Sequence, residues 1–315
     1  MYYVKLRGKN RLRTIGCFII MEVDFSVFPR KIFHKYGKED VMKFSKRWGA
    51  ALLAVLAILP AGGCGGNPDA GLLFREAKAN SAQIKSCSAT MESTLVFDVD
   101  GKKYTALFYN QIQYTANPFA LKSVQTSQYD GPPSKTTGYT VTQDGKLWFY
   151  CENGSGWQKS AVPNMDTTPG AQVDILRLTG YAAGEKYVRR EDLNSRQVHK
   201  LELTMSSEVL RSMVESIVSA SGMGNGSKTI VQTLLDGAQP VYAYAYVDAQ
   251  SGQFARLECD MSDALDGVFQ NIDGNPVKVH VEKATVSGNV SGIGASAAFS
   301  LPAGAAAASS VEASG

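Results

Sequence analysis

Few residues in this chain stand at spacings that chemistry would use. Of the three histidines, His199 and His280 lie in alternating, strand-like stretches with no cysteine or carboxylate at metal-ligand spacing. Each reads as a packed or surface residue. No G-x-S-x-G elbow presents a serine nucleophile, although a triad assembled only in space would leave no trace in the sequence. Gly222–Ser227 (GMGNGS) has the glycines of a phosphate loop, but it follows a helical pattern and lacks the lysine, so it reads as a linker. Asp248–Gly252 offers oxygen ligands without the repeated acidic positions of a calcium loop, and reads as a turn. Cys87, Cys151 and Cys259 fall in strand-like stretches, no two of them at CxxC spacing, so no zinc or thioredoxin-type site is expected. Three thiols cannot all pair within the chain, and buried free thiols are the simplest expectation. No catalytic residue, metal or cofactor is read from these patterns, and the chain is taken not to be an enzyme.

One cysteine has a different setting. Cys64 follows a basic start (Met42-Lys43-Phe44-Ser45-Lys46-Arg47), an apolar run (Ala50–Leu59) and the small residues Ala61-Gly62-Gly63. That order is the order of a secretory signal, and the run is too short for a spanning helix of about 20 apolar residues. Ala61-Gly62-Gly63-Cys64 resembles a bacterial lipobox, in which the cysteine is acylated and becomes the mature N-terminus. Ala61 stands where a branched residue is usual. Gly65–Asp69 then reads as a tether. The expected organisation is an upstream extension over 1–41 outside the fold, a lipoprotein signal over 42–63, a tether over 64–68, a folded domain over 69–302 and a disordered tail over 303–315. The expected location is the extracytoplasmic face of the cell membrane, through a lipid anchor on Cys64.

The charge balance agrees with that division. Of 32 basic residues, 12 precede Cys64, against 4 of 29 acidic ones, so the whole-chain charge of +3 belongs to the leader and the remainder is net acidic. No cluster of Lys and Arg marks a nucleic-acid partner. The densest basic pair, Arg189-Arg190, is answered at once by Glu191-Asp192.

The elements that would position any site follow from periodicity. Asp69–Ser86 reads as a helix with Leu73, Ala77 and Ile84 on one face. From Cys87 the period is two, as in a half-buried antiparallel strand. Asp100-Gly101 and Asp144-Gly145 are two-residue hairpin signals. Between and beyond them lie strands near Lys103–Tyr114, Leu121–Tyr129, Gly138–Thr142, Lys146–Cys151 and Trp157–Lys159. Ala171–Leu178 reads as a short helix, Val188–Arg190 and Gln197–Met205 as strands. Ser206–Ser221 reads as a helix whose apolar stripe is Leu210, Met213, Val214 and Ile217. Strands return at Pro240–Asp248, Gln253–Met261 and Pro276–Val286, with a short helix near Asp263–Gln270. Gly288–Ala298 has short strand character at best. Consecutive antiparallel strands with helices inserted between two groups predict one α+β domain.

That order resembles the small bacterial lipoproteins with a LolA-like fold, among them mycobacterial lipid-handling lipoproteins and a poorly characterised Gram-positive set. The resemblance covers roughly Pro68–Pro302. It rests on Gly71-Leu72-Leu73-Phe74-Arg75-Glu76-Ala77 ahead of the first strand, on Leu147-Trp148-Phe149-Tyr150 and Gly156-Trp157-Gln158-Lys159, on a tyrosine strand meeting Asp248-Ala249-Gln250-Ser251-Gly252, and on Phe299-Ser300-Leu301-Pro302. It implies a curved antiparallel sheet, an incomplete β-barrel, with helices covering the concave face and an apolar cavity between them. In that frame Tyr104, Phe108, Trp148, Leu210, Met213, Val214, Ile217 and Tyr244 are the expected ligand-binding residues, the aromatics serving as an amphipathic lining. The expected function is binding of a hydrophobic or lipid-like ligand. The alternative is a non-catalytic cell-envelope interaction or sensor-accessory protein. A solid core with an exposed aromatic patch would favour that alternative, and the same aromatics set out as a platform would suit a carbohydrate.

Overall fold

The β-structure follows from the alternation, and its order follows from where the turns fall. The computed structural model describes residues 67–153, 156–211, 240–270, 278–295 and 299–308. The chain divides into two compact units, and every element named below belongs to the one that holds Pro68–Gly315. Eleven strands form one antiparallel sheet. They are β1 (Ser86–Val99), β2 (Lys102–Ala116), β3 (Phe119–Tyr129), β4 (Ser134–Gln143), β5 (Lys146–Asn153), β6 (Gly156–Ala161), β7 (Ala182–Leu193), β8 (Arg196–Met205), β9 (Val241–Asp248), β10 (Phe254–Asp260) and β11 (Val279–Ser291). Their spatial order is β6-β5-β4-β3-β2-β1-β11-β10-β9-β8-β7, so the first and last strands meet in the middle and the sheet does not close into a barrel. The predicted α+β class and curved sheet hold.

Both Asp-Gly hairpins form as expected, with positive φ at Asp100, Gly101, Asp144 and Gly145. Asn194-Ser195 makes the same kind of turn without a glycine. Such turns keep β1–β6 and β7–β11 as two meanders, each spreading from the centre to one edge. The connection between them must then run from one edge of the sheet to the other. Flat, eleven strands would measure about 48 Å at ~4.8 Å per strand. Residues 162–181 are partly helical and rise by only about 1.5 Å per residue there, a span that suits a curved sheet. This strap carries α2 (Pro169–Gln172), α3 (Asp174–Leu178) and a 3-10 turn at Thr179–Tyr181. A single helix over Ala171–Leu178 is not what forms. Val173 is extended (φ −103°, ψ 109°) and separates the two short helices.

The core lies on the face that the strap crosses. Cys87, Ala89, Met91, Leu95 and Phe97 of β1 point there with Ala106, Ile112 and Tyr114 of β2 and the alanines of β9. α1 (Ala70–Ala82) covers the β7, β9 and β10 side through Phe74, Ala77 and Ser81, with the Phe74 ring edge-on to Phe254 at 5.5 Å. It is shorter than the predicted Asp69–Ser86: Asp69 caps it by accepting from the Leu72 amide, and Gln83 ends it before β1 begins. α4 (Ser262–Gln270) packs on β11. There Asp266 accepts the Val281 amide, which lies beyond the β10–β11 pairing.

Three other expectations change. β7 is twelve residues long where Val188–Arg190 was expected, because an edge strand needs no apolar face to be held by its one neighbour. β11 runs on to Ser291, although Gly288 and its neighbours are poor strand formers. A Cβ on Gly288 would stand 3.0 Å from the Thr90 carbonyl oxygen and 3.5 Å from Ile175 Cβ, so a central strand under α3 requires the gap. At the start of the stretch expected to be a disordered tail, α5 (Ala303–Ala306) packs on β5 and β6 with Ala305 fully buried, and residues 309–315 lie outside the described residues. Of the helix expected over Ser206–Ser221, residues 208–211 are helical, and residues 212–221 lie outside the described residues.

Candidate functional site: a groove over β2–β5

Because antiparallel partners share a face, register tells which side chains can meet. Tyr104, Ala106, Phe108, Asn110, Ile112 and Tyr114 of β2 share the core face with Leu121, Ser123 and Gln125 of β3. Thr136, Gly138 and Thr140 of β4 and Phe149 of β5 continue it. α1, α3 and α4 cover the β1 and β7–β11 half of this face. Among the described residues, the first part of the strap covers β2–β5, and a groove with a cavity volume of about 80 Å³ remains. Ile112, Leu121 and Phe149 make its apolar floor, and Val162, Met165 and Ala171 make the apolar part of its opposite wall. Gly138 lets the Phe149 ring lie across β4, since a Cβ there would sit 2.9 Å from that ring. The Tyr114 hydroxyl donates to the Thr167 carbonyl at 2.9 Å and ties the strap to β2.

A polar relay closes one end. Ser123 Oγ donates to Asn110 Oδ1 at 2.8 Å, Asn110 Nδ2 donates to Asp174 Oδ2 at 2.8 Å, and Arg177 Nη2 donates to Asp174 Oδ1 at 2.9 Å. Asp174 is buried, and that burial pushes its carboxyl above the ordinary carboxylate value. Arg177 and the Asn110 hydrogen bond oppose the shift without cancelling it. A buried ion pair of this kind is tolerated only when its remaining atoms are hydrogen-bonded, and the relay supplies those bonds.

The expected binding residues do not form one lining. Tyr104 and Phe108 are on the core face but outside the groove: Tyr104 stacks between Phe97 (5.4 Å) and Tyr129 (6.1 Å). Leu210 is a buried core residue. Trp148 and Tyr244 correct the expectation, because the pleat sends both to the other face of the sheet. Trp148 shares that face with Tyr139 and Trp157 under the C-terminal segment, where Phe299 meets the Tyr139 ring at 5.7 Å. Tyr244 sits beside Tyr242 on the exposed side of β9, with Lys200 Nζ 4.1 Å from its ring centre. Met213, Val214, Ile217 and Cys64, the residue expected to carry the anchor, lie outside the described residues.

The groove residues themselves were missed, though a signal existed. Asn110 interrupts the apolar parity of β2, and Asp174-Ile175-Leu176-Arg177 places opposite charges three apart inside an apolar run. Both mark buried polar positions that need partners. Cys87, Cys151 and Cys259 are all free thiols, and burial pushes Cys87 and Cys259 up to about 12. His280 Nδ1 meets Asp266 at 2.7 Å and His199 Nδ1 lies 3.5 Å from the Tyr187 hydroxyl. Among the described residues no three metal-ligating side chains converge, and no helix is long and apolar enough to cross a membrane.

No family model matches this chain, and no curated protein matches it. Among solved structures it is similar to LprF from Mycobacterium bovis, with 12% identity and a TM-score of 0.38, covering 73% of this chain and 94% of that one. It is similar to the lipoprotein LppX from Mycobacterium tuberculosis, with 12% identity and a TM-score of 0.36, covering 74% and 99%. A LolA superfamily protein from Nitrosomonas europaea is 13% identical with a TM-score of 0.21, covering 71% and 92%. These are the kinds of protein that the sequence resembles, and the superpositions are loose.

Proposed function

We propose that this chain is a lipoprotein held at the extracytoplasmic face of the membrane by an acylated Cys64, and that its folded part is a binding protein for a hydrophobic or lipid-like ligand. The observation that carries the reading is the groove over β2–β5. Its floor and much of its wall are apolar, one end is polar, and the strap leaves it open. Apolar surface with a few convergent polar groups is the usual makeup of a small-molecule site. At about 80 Å³ the groove is smaller than the ~300–1,000 Å³ of pockets that enclose a whole ligand. It would take a segment of a hydrocarbon chain, with the rest of the ligand lying along the sheet. The residues proposed to hold that segment are Ile112, Leu121, Phe149, Val162 and Met165.

A pyrene-labelled long-chain alcohol tests this. The purified soluble domain should bind it, and Gln125→Trp, which fills the groove from its half-buried rim, should weaken binding at least tenfold with an unchanged melting temperature. Equal binding by both proteins would sink the reading. The envelope-interaction alternative has one observation in its favour, the exposed Tyr242 and Tyr244 on the outer face. Crosslinking through a photoreactive residue at Tyr242 in intact cells would test it, and capture of a single envelope protein would support it.

A further inference from the structure

The charges around the groove determine which ligand head group it can accept. Among the described residues two charged side chains line it, Asp174 and Arg177, and they are paired at 2.9 Å. Their side chains are 9% and 17% exposed, so their mutual field is poorly screened by water. The remaining polar lining is neutral: Asn110, Ser123, Gln125, Thr136, Thr140 and Gln172. These are hydroxyls and amides, able both to donate and to accept. An anionic head group would make the site net negative, and an ammonium head would make it net positive. Either leaves an uncompensated charge in a part-buried place, which is costly. A hydroxyl, ester or amide head adds no charge and finds both donors and acceptors.

Building on the groove-binding reading, we infer that the groove selects uncharged amphiphiles, with a hydroxyl- or ester-bearing head group at the Ser123–Asn110–Asp174–Arg177 end and a single apolar chain over Ile112, Leu121 and Phe149. The paired Asp174 and Arg177 act as a fixed neutral couple that excludes ionised lipids of either sign.

The test ranks three ligands of one chain length at pH 7, each below its micellar concentration: monododecanoylglycerol, dodecanoate and dodecyltrimethylammonium. Each is titrated against the bound pyrene alcohol. Monododecanoylglycerol should displace the probe at a concentration at least tenfold lower than either ion. Gln125→Lys adds one positive charge at the half-buried rim, opposite Asn110 in the β2–β3 register, and should bring dodecanoate to within a few-fold of the neutral ligand while leaving dodecyltrimethylammonium excluded. Asp174→Asn should move the ranking the same way, and the double variant Asp174→Asn with Arg177→Gln should restore the wild-type ranking. If Asp174→Asn fails to fold, the wild-type ranking and Gln125→Lys decide. Equal affinity for the three ligands, or dodecanoate ranked first in the wild type, would overturn the inference and leave groove binding standing. Failure of all three ligands and of the probe would overturn groove binding itself.

Discussion

At the scale of single residues, Asn110 is the hinge of the relay. Its amide nitrogen holds Asp174 and its amide oxygen takes the Ser123 hydroxyl. Asn110→Ala would leave the Asp174 carboxylate and the Ser123 hydroxyl each short of a partner inside the protein. A cost of about 1–3 kcal/mol is expected, the usual penalty for stranding a buried polar group, and urea unfolding would measure it. Asp174 has a pH signature of its own. Burial raises its folded-state pKa above the ordinary value of 3.8. A carboxyl with a raised folded pKa contributes stability that is full below the unfolded pKa and is lost as pH rises through the folded one. The stability of wild type relative to Asp174→Asn should therefore improve as pH falls from neutral towards 4. Parallel pH profiles for the two proteins would show that Asp174 is not held above its ordinary value.

At the scale of elements, two glycines are set by what crosses over them. Gly288 lets α3 lie on β11, and a methyl group there meets the Thr90 carbonyl, which is backbone and cannot swing away. Gly288→Ala should cost about 1–3 kcal/mol, the range for overpacking a core, seen as a lower urea midpoint with an unchanged m-value. Gly304 lets α5 sit on Trp157: an added Cβ would come 2.7 Å from Trp157 Cδ1. Gly304→Ala should lift the C-terminal segment. Limited proteolysis should then cut near Leu301, and near-UV circular dichroism of the tryptophans should change, while the midpoint of the main core stays put. Uncut protein would mean that the segment is held by Phe299 and Leu301 without α5.

At the scale of the molecule, the strap at 162–181 joins the two halves of the sheet across the core face, while the C-terminal segment covers β5 and β6 on the outer face. The proposed anchor lies on the N-terminal side of α1. Cys64→Ala should move the protein from the membrane to the soluble fraction without changing its melting temperature. Membrane retention of that variant, together with the absence of a lipid-sized mass on the wild type, would remove the anchor from the proposal.

Alternation and turn chemistry are local, which is why they could be read directly from the sequence. The period-two runs of β1 and β9 and the Asp100-Gly101 and Asp144-Gly145 turns all depend on neighbours a few residues away. The α+β class followed from them; the meeting of β1 and β11 in the middle of the sheet did not. The extent of β11 did not, because Gly288 is a poor strand residue whose place is decided by Thr90 and Ile175, far off in the chain. The order of α5 did not, because a small, polar-looking tail becomes ordered only when Trp157 and Tyr139 offer it a surface. Face assignment divides in the same way. Each strand's two faces were legible, but which of them meets the strap was not, so Trp148 and Tyr244 were assigned to a lining they do not join. The groove is wholly a tertiary product. Asn110 and Asp174 are 64 residues apart and become partners only when a connection between opposite sheet edges is drawn across β2.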